Sequence, residues 1–112
     1  MKIIIVDDHS LFTEGIIHVL NRLGTGVEVI TANSYVHAKK IINQGIDFDL
    51  LLLDLYMPNV NGHQAISHFV DKLPFCPIIM VSSSLDPVDI QKALNLGVMG
   101  YIPKTLSSEI MI

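Results

Sequence analysis

Apolar residues follow two rhythms along this chain. Ile3-Ile4-Ile5-Val6, Leu50-Leu51-Leu52-Leu53 and Ile78-Ile79-Met80-Val81 are near-continuous runs. Runs that do not alternate mark strands covered on both faces, as in a parallel sheet. They predict strands over Lys2–Val6, Leu50–Asp54 and Ile78–Ser82, and Val27–Thr31 and Val98–Ile102 complete the set. Between them the period lengthens. Phe12, Ile16, Val19, Leu20 and Leu23 recur at helix spacing, as do Ile66, Phe69, Val70 and Leu73, and then Ile90, Ala93 and Leu94.

Punctuation supports the helices. Ser34 stands ready to cap the second, and Asp86-Pro87-Val88-Asp89 sets a cap, a first-turn proline and a second acid in order. Gly24, Gly45 and Gly97 fall where helices should stop. The predicted architecture is α/β, a (βα)₅ repeat that right-handed crossovers wind into a doubly wound parallel sheet. The last helix is curtailed, because only Thr105–Ile112 follow the fifth strand. A stub that short is marginal alone and leaves one sheet face thinly covered. The expectation is a piece of a longer protein, with self-association or exchange of that helix as one outcome.

Composition narrows the function classes. The chain has 112 residues, enough for one domain, and half of them are hydrophobic. A formal net charge of −4 with scattered Lys and Arg argues against direct nucleic-acid binding. One cysteine excludes an internal disulfide and fits a reducing compartment; Cys76 reads as a small buried hydrophobe. No apolar run approaches the roughly 20 residues that span a bilayer, and Met1-Lys2 leads into only four apolar residues before two acids. A cytoplasmic protein without membrane contact is expected.

The candidate chemistry lies where the apolar runs end. Asp7 and Asp8 follow the first strand, Asp54 ends the third, Ser82 ends the fourth and Lys104 follows the fifth. In open α/β sheets ligands bind outside the carboxyl ends of the strands. Clustered acids repel, by about 4 kcal/mol per close pair at an effective dielectric near 20, so a cation is expected among them. Oxygen donors suit Mg²⁺. Asp8 and Asp54 are the candidate direct ligands, Asp7 one through water, and the Tyr56 backbone carbonyl one more. An Asp can carry a phosphoryl group as an acyl phosphate. Lys104 would then supply a charge, and Ser82 a hydroxyl, to the phosphoryl oxygens.

These residues, in this order, resemble the receiver domain of a two-component response regulator. The likeness rests on Asp7-Asp8, Asp54 with Met57-Pro58 and Gly62, Ser82-Ser83 and Tyr101-Ile102-Pro103-Lys104, and covers residues 1–112 apart from the curtailed last helix. It implies a flavodoxin-like sheet of order 2-1-3-4-5. It implies that Asp54 accepts a phosphoryl group from a sensor histidine kinase, with Asp7 and Asp8 holding Mg²⁺. Ser82 and Lys104 correspond to the groups that contact the phosphoryl, and Tyr101 to the aromatic that turns inward when the hydroxyl residue moves. Tyr56 and Ser84 occupy positions that tune acyl-phosphate lifetime, and a bulky Tyr56 points to slow hydrolysis. The chain is then no enzyme beyond its own phosphorylation and dephosphorylation.

Asp7-Asp8-His9-Ser10-Leu11-Phe12 with Glu14-Gly15, and Gly100-Tyr101-Ile102-Pro103-Lys104-Thr105, resemble receivers carrying a LuxR-type helix-turn-helix output domain. DNA would then be bound only through a domain absent from this chain. His9 reads as a polar residue at the start of the first helix rather than a ligand, because Mg²⁺ prefers oxygen. His18, His37, His63 and His68 read as surface or boundary residues.

Two other readings compete. One is a receiver-like interaction module that is never phosphorylated. The other is a phosphatase of the haloacid-dehalogenase type, which wants a second Asp two residues past the nucleophile, where Tyr56 stands. A dinucleotide site lacks its Gly-x-Gly-x-x-Gly.

Overall fold

The computed structural model describes residues 1–22, 26–55, 62–82 and 86–103. Strands β1 (Lys2–Val6), β2 (Glu28–Ala32), β3 (Leu50–Asp54), β4 (Ile78–Ser82) and β5 (Gly100–Pro103) alternate with helices α1 (Ser10–Asn21), α2 (Tyr35–Ile42), α3 (Gly62–Lys72) and α4 (Pro87–Leu96). All pairings are parallel, in the order β2-β1-β3-β4-β5. The doubly wound sheet expected from the apolar runs is therefore present, in the expected strand order. The predicted last helix lies outside the described residues.

The central strands β1, β3 and β4 are buried on both faces, as continuous apolar strands require, whereas β2 and β5 at the edges are only partly covered. Ile4, Val6, Leu51, Leu53 and Met80 face α2, α3 and α4, packing with Tyr35, Ala38, Ile66, Phe69 and Ala93. Ile3, Ile5, Leu52 and Val81 face the other way, under Phe12, Ile16, Ile17 and Leu20 of α1. Each fully buried Ile or Leu contributes roughly 1.5–3 kcal/mol by leaving water. Among the described residues α1 is the only helix on that second face. Cys76 packs half-buried against the larger core rather than inside it.

The caps fall where the polar punctuation stood. Ser34 Oγ accepts the His37 amide at 3.1 Å, and Asp86 Oδ1 accepts that of Val88 at 2.9 Å. Gly97 ends α4 at φ +117°, in the left-handed region. A Cβ there would meet Val70 Cγ2 at 3.2 Å. Gly24 lies outside the described residues. β5 starts two residues later than Val98, because that glycine cap spends Val98 and Met99 on the return to the sheet; Met99 donates to the Ile78 carbonyl at 2.7 Å before the ladder opens at Ile79 and Gly100.

Candidate metal and phosphoryl site

Register brings the polar residues together. Val6 is level with Leu53 and Asp54 with Val81, so Asp7 and Asp8 emerge beside Asp54 at one sheet edge. Ser82 is level with Pro103, the residue before Lys104. The main chain carries this arrangement one residue past the strands, where Asp7 N–H donates to Ala32 O at 3.0 Å and Leu55 N–H to Val81 O at 3.1 Å.

The acids form a tight group. One ligand atom each from Asp7, Asp8, His9 and Asp54 lies within 4.8 Å of the others. The carboxylates of Asp7 and Asp54 are buried, while Asp8 keeps its side chain 30% exposed. Burial weakens solvent screening, so the repulsion between these charges is stronger than at an open surface. Three carboxylates supply hard oxygen donors, which is the chemistry of an Mg²⁺ or Ca²⁺ seat. The residues fit such an ion.

His9 is the residue that sequence reasoning missed. It is the N-cap of α1, yet its side chain makes no capping bond. Its ring turns into the acids instead, with Nδ1 2.8 Å from Asp7 Oδ1, 3.1 Å from Asp8 Oδ1 and 3.5 Å from Asp54 Oδ2. The His9 amide also donates to Asp7 Oδ1, at 2.9 Å. The sequence signal was adjacency to the acidic pair, and the preference of Mg²⁺ for oxygen hid it.

Tyr35 is a second residue that periodicity could not find. It is 1% exposed, and its hydroxyl donates to the Asp54 carbonyl at 2.6 Å and reaches the Leu55 carbonyl at 3.3 Å. Burial, reinforced by the charges of Asp54, Asp7 and Asp8, pushes this phenol well above its usual range. A buried tyrosine needs a partner for its hydroxyl, and here the partner is the backbone of the candidate phosphoacceptor.

Ser82 is buried at the end of β4, one strand over from Asp54. Tyr101 lies in β5 level with Met80, half-buried against the larger core. Tyr56, Ser84 and Lys104 lie outside the described residues. Beside the acids, a cavity between α1 and the end of β2 is lined by Asp7, Asp8, Ser10, Thr13, Glu14 and Thr31, among others. Of the other histidines, His63 and His68 sit half-buried on α3, and His18 and His37 lie away from the acidic group.

Residues 3–112 match the family described as response regulator receiver domain. The chain is 35% identical over 104 residues to the glycerol metabolism activator of Pseudomonas putida, covering 93% of this chain and 47% of that protein. It is 27% identical over 112 residues to the transcriptional regulatory protein DegU of Brevibacillus brevis, covering all of this chain and 47% of that one. The chain thus spans about half the length of the curated relatives it matches. A Burkholderia pseudomallei response regulator, solved with a phosphorylated aspartic acid, a calcium ion and citrate, superposes with a TM-score of 0.83 at 21% identity, over 97% of this chain and 69% of that one.

Proposed function

Because the chain belongs to the response regulator receiver domain family, we propose that it is a phosphoacceptor switch whose acceptor is Asp54. The donor is a phosphohistidine on a sensor histidine kinase. A carboxylate oxygen of Asp54 forms the new P–O bond as the P–N bond breaks, and that bonding pair returns to the kinase imidazole. The observation that carries the reading is the convergence of Asp7, Asp8 and Asp54 within 4.8 Å, at the carboxyl ends of adjacent strands.

Positioning and charge neutralisation do most of the work in such transfers. Asp7, Asp8 and Asp54 are the residues that hold a divalent cation, Mg²⁺ in the cell, with the Tyr56 carbonyl as a further donor. That ion, when bound, supplies neutralisation of the phosphoryl oxygens. Asp7 Oδ1 is already engaged by His9, which suits a role through water. Tyr35 anchors the Asp54 main chain through its carbonyl. Lys104 completes the charge balance from the end of β5, and Ser82 supplies a hydroxyl.

The phosphorylated aspartate carries added negative charge and strong acceptor oxygens. Ser82 moves to meet them, Tyr101 turns into the space released, and the surface of α4 and β5 changes shape. A complete shift from 1:99 to 99:1 needs about 5.5 kcal/mol of differential interaction. Charge-assisted bonds from Ser82 and Lys104 supply part of that. Residues 1–112 are the receiver, and the switch controls an output domain of the LuxR type that binds DNA for transcription. Homodimerisation is the expected means of control. The relatives' names support a regulatory output, and the chain spans about half their length. The setting is cytoplasmic; among the described residues no helix is long and apolar enough to cross a membrane.

The test is phosphorylation by acetyl phosphate with Mg²⁺. Asp54 should be labelled, Asp54→Asn should not, and removing the cation with a chelator should stop the reaction. Lack of any labelling in the wild-type chain would favour the unphosphorylated interaction module. Turnover of a phosphate ester would instead revive the phosphatase.

A further inference from the structure

We propose that His9 is a further protein ligand of the acidic pocket, through Nδ1, for a borderline transition dication such as Co²⁺, Ni²⁺ or Zn²⁺, and that it leaves the pocket for Mg²⁺. This rests on reading the pocket as a cation seat.

The argument starts from what the imidazole gives up. An N-cap side chain ordinarily closes the first turn by accepting an N–H, and His9 does not. Its Nδ1 stands 2.8, 3.1 and 3.5 Å from one oxygen each of Asp7, Asp8 and Asp54. Neighbouring ligands around a dication with bonds near 2.0–2.1 Å are about 3.0 Å apart in an octahedron and about 3.3 Å apart in a tetrahedron. The separations of Nδ1 from the three carboxylates are of that order, so a dication seated among the acids lies within reach of Nδ1. Both the main chain and the ring of His9 bond to Asp7 Oδ1.

Chemistry then separates the ions. Ionised carboxylates only accept, so without metal Nδ1 carries the hydrogen that faces them. A metal that takes Nδ1 passes that hydrogen to water, and the bound ring is the neutral tautomer with its hydrogen on Nε2. Imidazole suits Zn²⁺, Ni²⁺ and their neighbours, whereas Mg²⁺ takes oxygen and keeps its waters. A transition dication gains a nitrogen donor from His9. Mg²⁺ gains nothing from the ring and must first break its contacts with the acids. His9 thus sets metal selectivity in a pocket whose other donors are oxygen.

The experiment measures affinity and ligand field, not phosphorylation. Wild type, His9→Ala and His9→Phe are titrated with Co²⁺ by visible absorption and with Mg²⁺ by calorimetry, with circular dichroism to check folding. The side chain of His9 is 59% exposed, so both variants should fold. The expected result is Co²⁺ weakened by about tenfold in both variants, a change of about 1.4 kcal/mol. The Co²⁺ spectrum should move to that of an all-oxygen site, with Mg²⁺ affinity unchanged or tighter. An unchanged Co²⁺ to Mg²⁺ affinity ratio with an unchanged spectrum overturns the role of His9 and leaves the cation seat standing. Wild type that binds neither ion removes the seat, and this inference with it.

Discussion

The Tyr35 hydroxyl donates a 2.6 Å hydrogen bond to the backbone carbonyl of Asp54. The first residue of α2 is thereby tied to the last residue of β3, across the sheet edge where the acids meet. The bond fixes the main chain at the proposed phosphoacceptor without using its carboxylate. Tyr35 also lies edge-on to Phe69 of α3, with ring centroids 6.5 Å apart, so the same side chain joins the site to the core.

Replacing Tyr35 with Phe keeps the ring and removes the donor. Buried carbonyls then lose a partner, at a cost of about 1–2 kcal/mol. Urea unfolding should show a lower midpoint with an unchanged slope. Wild-type stability in that variant would mean that the hydroxyl contributes nothing.

Alkali should act on the same residue. The folded phenol titrates above its ordinary value of 10.0. Below that pH both states hold the proton and the contribution of Tyr35 to stability is complete. Above it the unfolded chain releases a proton that the folded chain retains, so stability falls as pH rises from about 10 towards the folded value. The decline should be shallower in Tyr35→Phe, which a series of unfolding curves from pH 9 upward would read.

Gly97→Ala tests the α4 terminus. The backbone there has φ +117°, and the added Cβ would approach Val70 Cγ2 to 3.2 Å. Left-handed backbone alone costs an L-residue about 1–2 kcal/mol. The melting temperature should fall, and a melt that matches the wild type would show that both the φ value and the contact can relax.

Carboxylate repulsion predicts that Mg²⁺ stabilises the fold. A ligand at 100 times its Kd adds about 2.7 kcal/mol. Asp8→Asn removes one of the clustered charges, so it should raise the stability of the metal-free chain and shrink the Mg²⁺-induced shift. Thermal melts with and without Mg²⁺ give both quantities. An undiminished shift would take Asp8 out of the ligand set.

If Tyr56 shields the aspartyl phosphate from water, Tyr56→Ala should shorten its life. The measurement is the decay of labelled chain after the phosphodonor is removed. A lifetime that hardly changes would count against Tyr56 as the shield and against the expected slow hydrolysis.

Much of the fold was legible in advance because burial on both faces imposes a local rule. Runs such as Ile3 to Val6 and Leu50 to Leu53, short and bounded by polar residues, favour doubly covered strands, and the polar residues that stop such strands gather at the sheet edge. The placement of Asp7, Asp8 and Asp54 followed from that rule, and the caps at Ser34 and Asp86 followed from local hydrogen bonding. β5 was misplaced by two residues, because the length of chain spent after Gly97 depends on where Ile78 waits to receive Met99. The contacts of His9 and Tyr35 were decided only by the tertiary structure. A side chain's partner across the sheet edge depends on helix entry angle and strand register, and neither is carried by spacing along the chain.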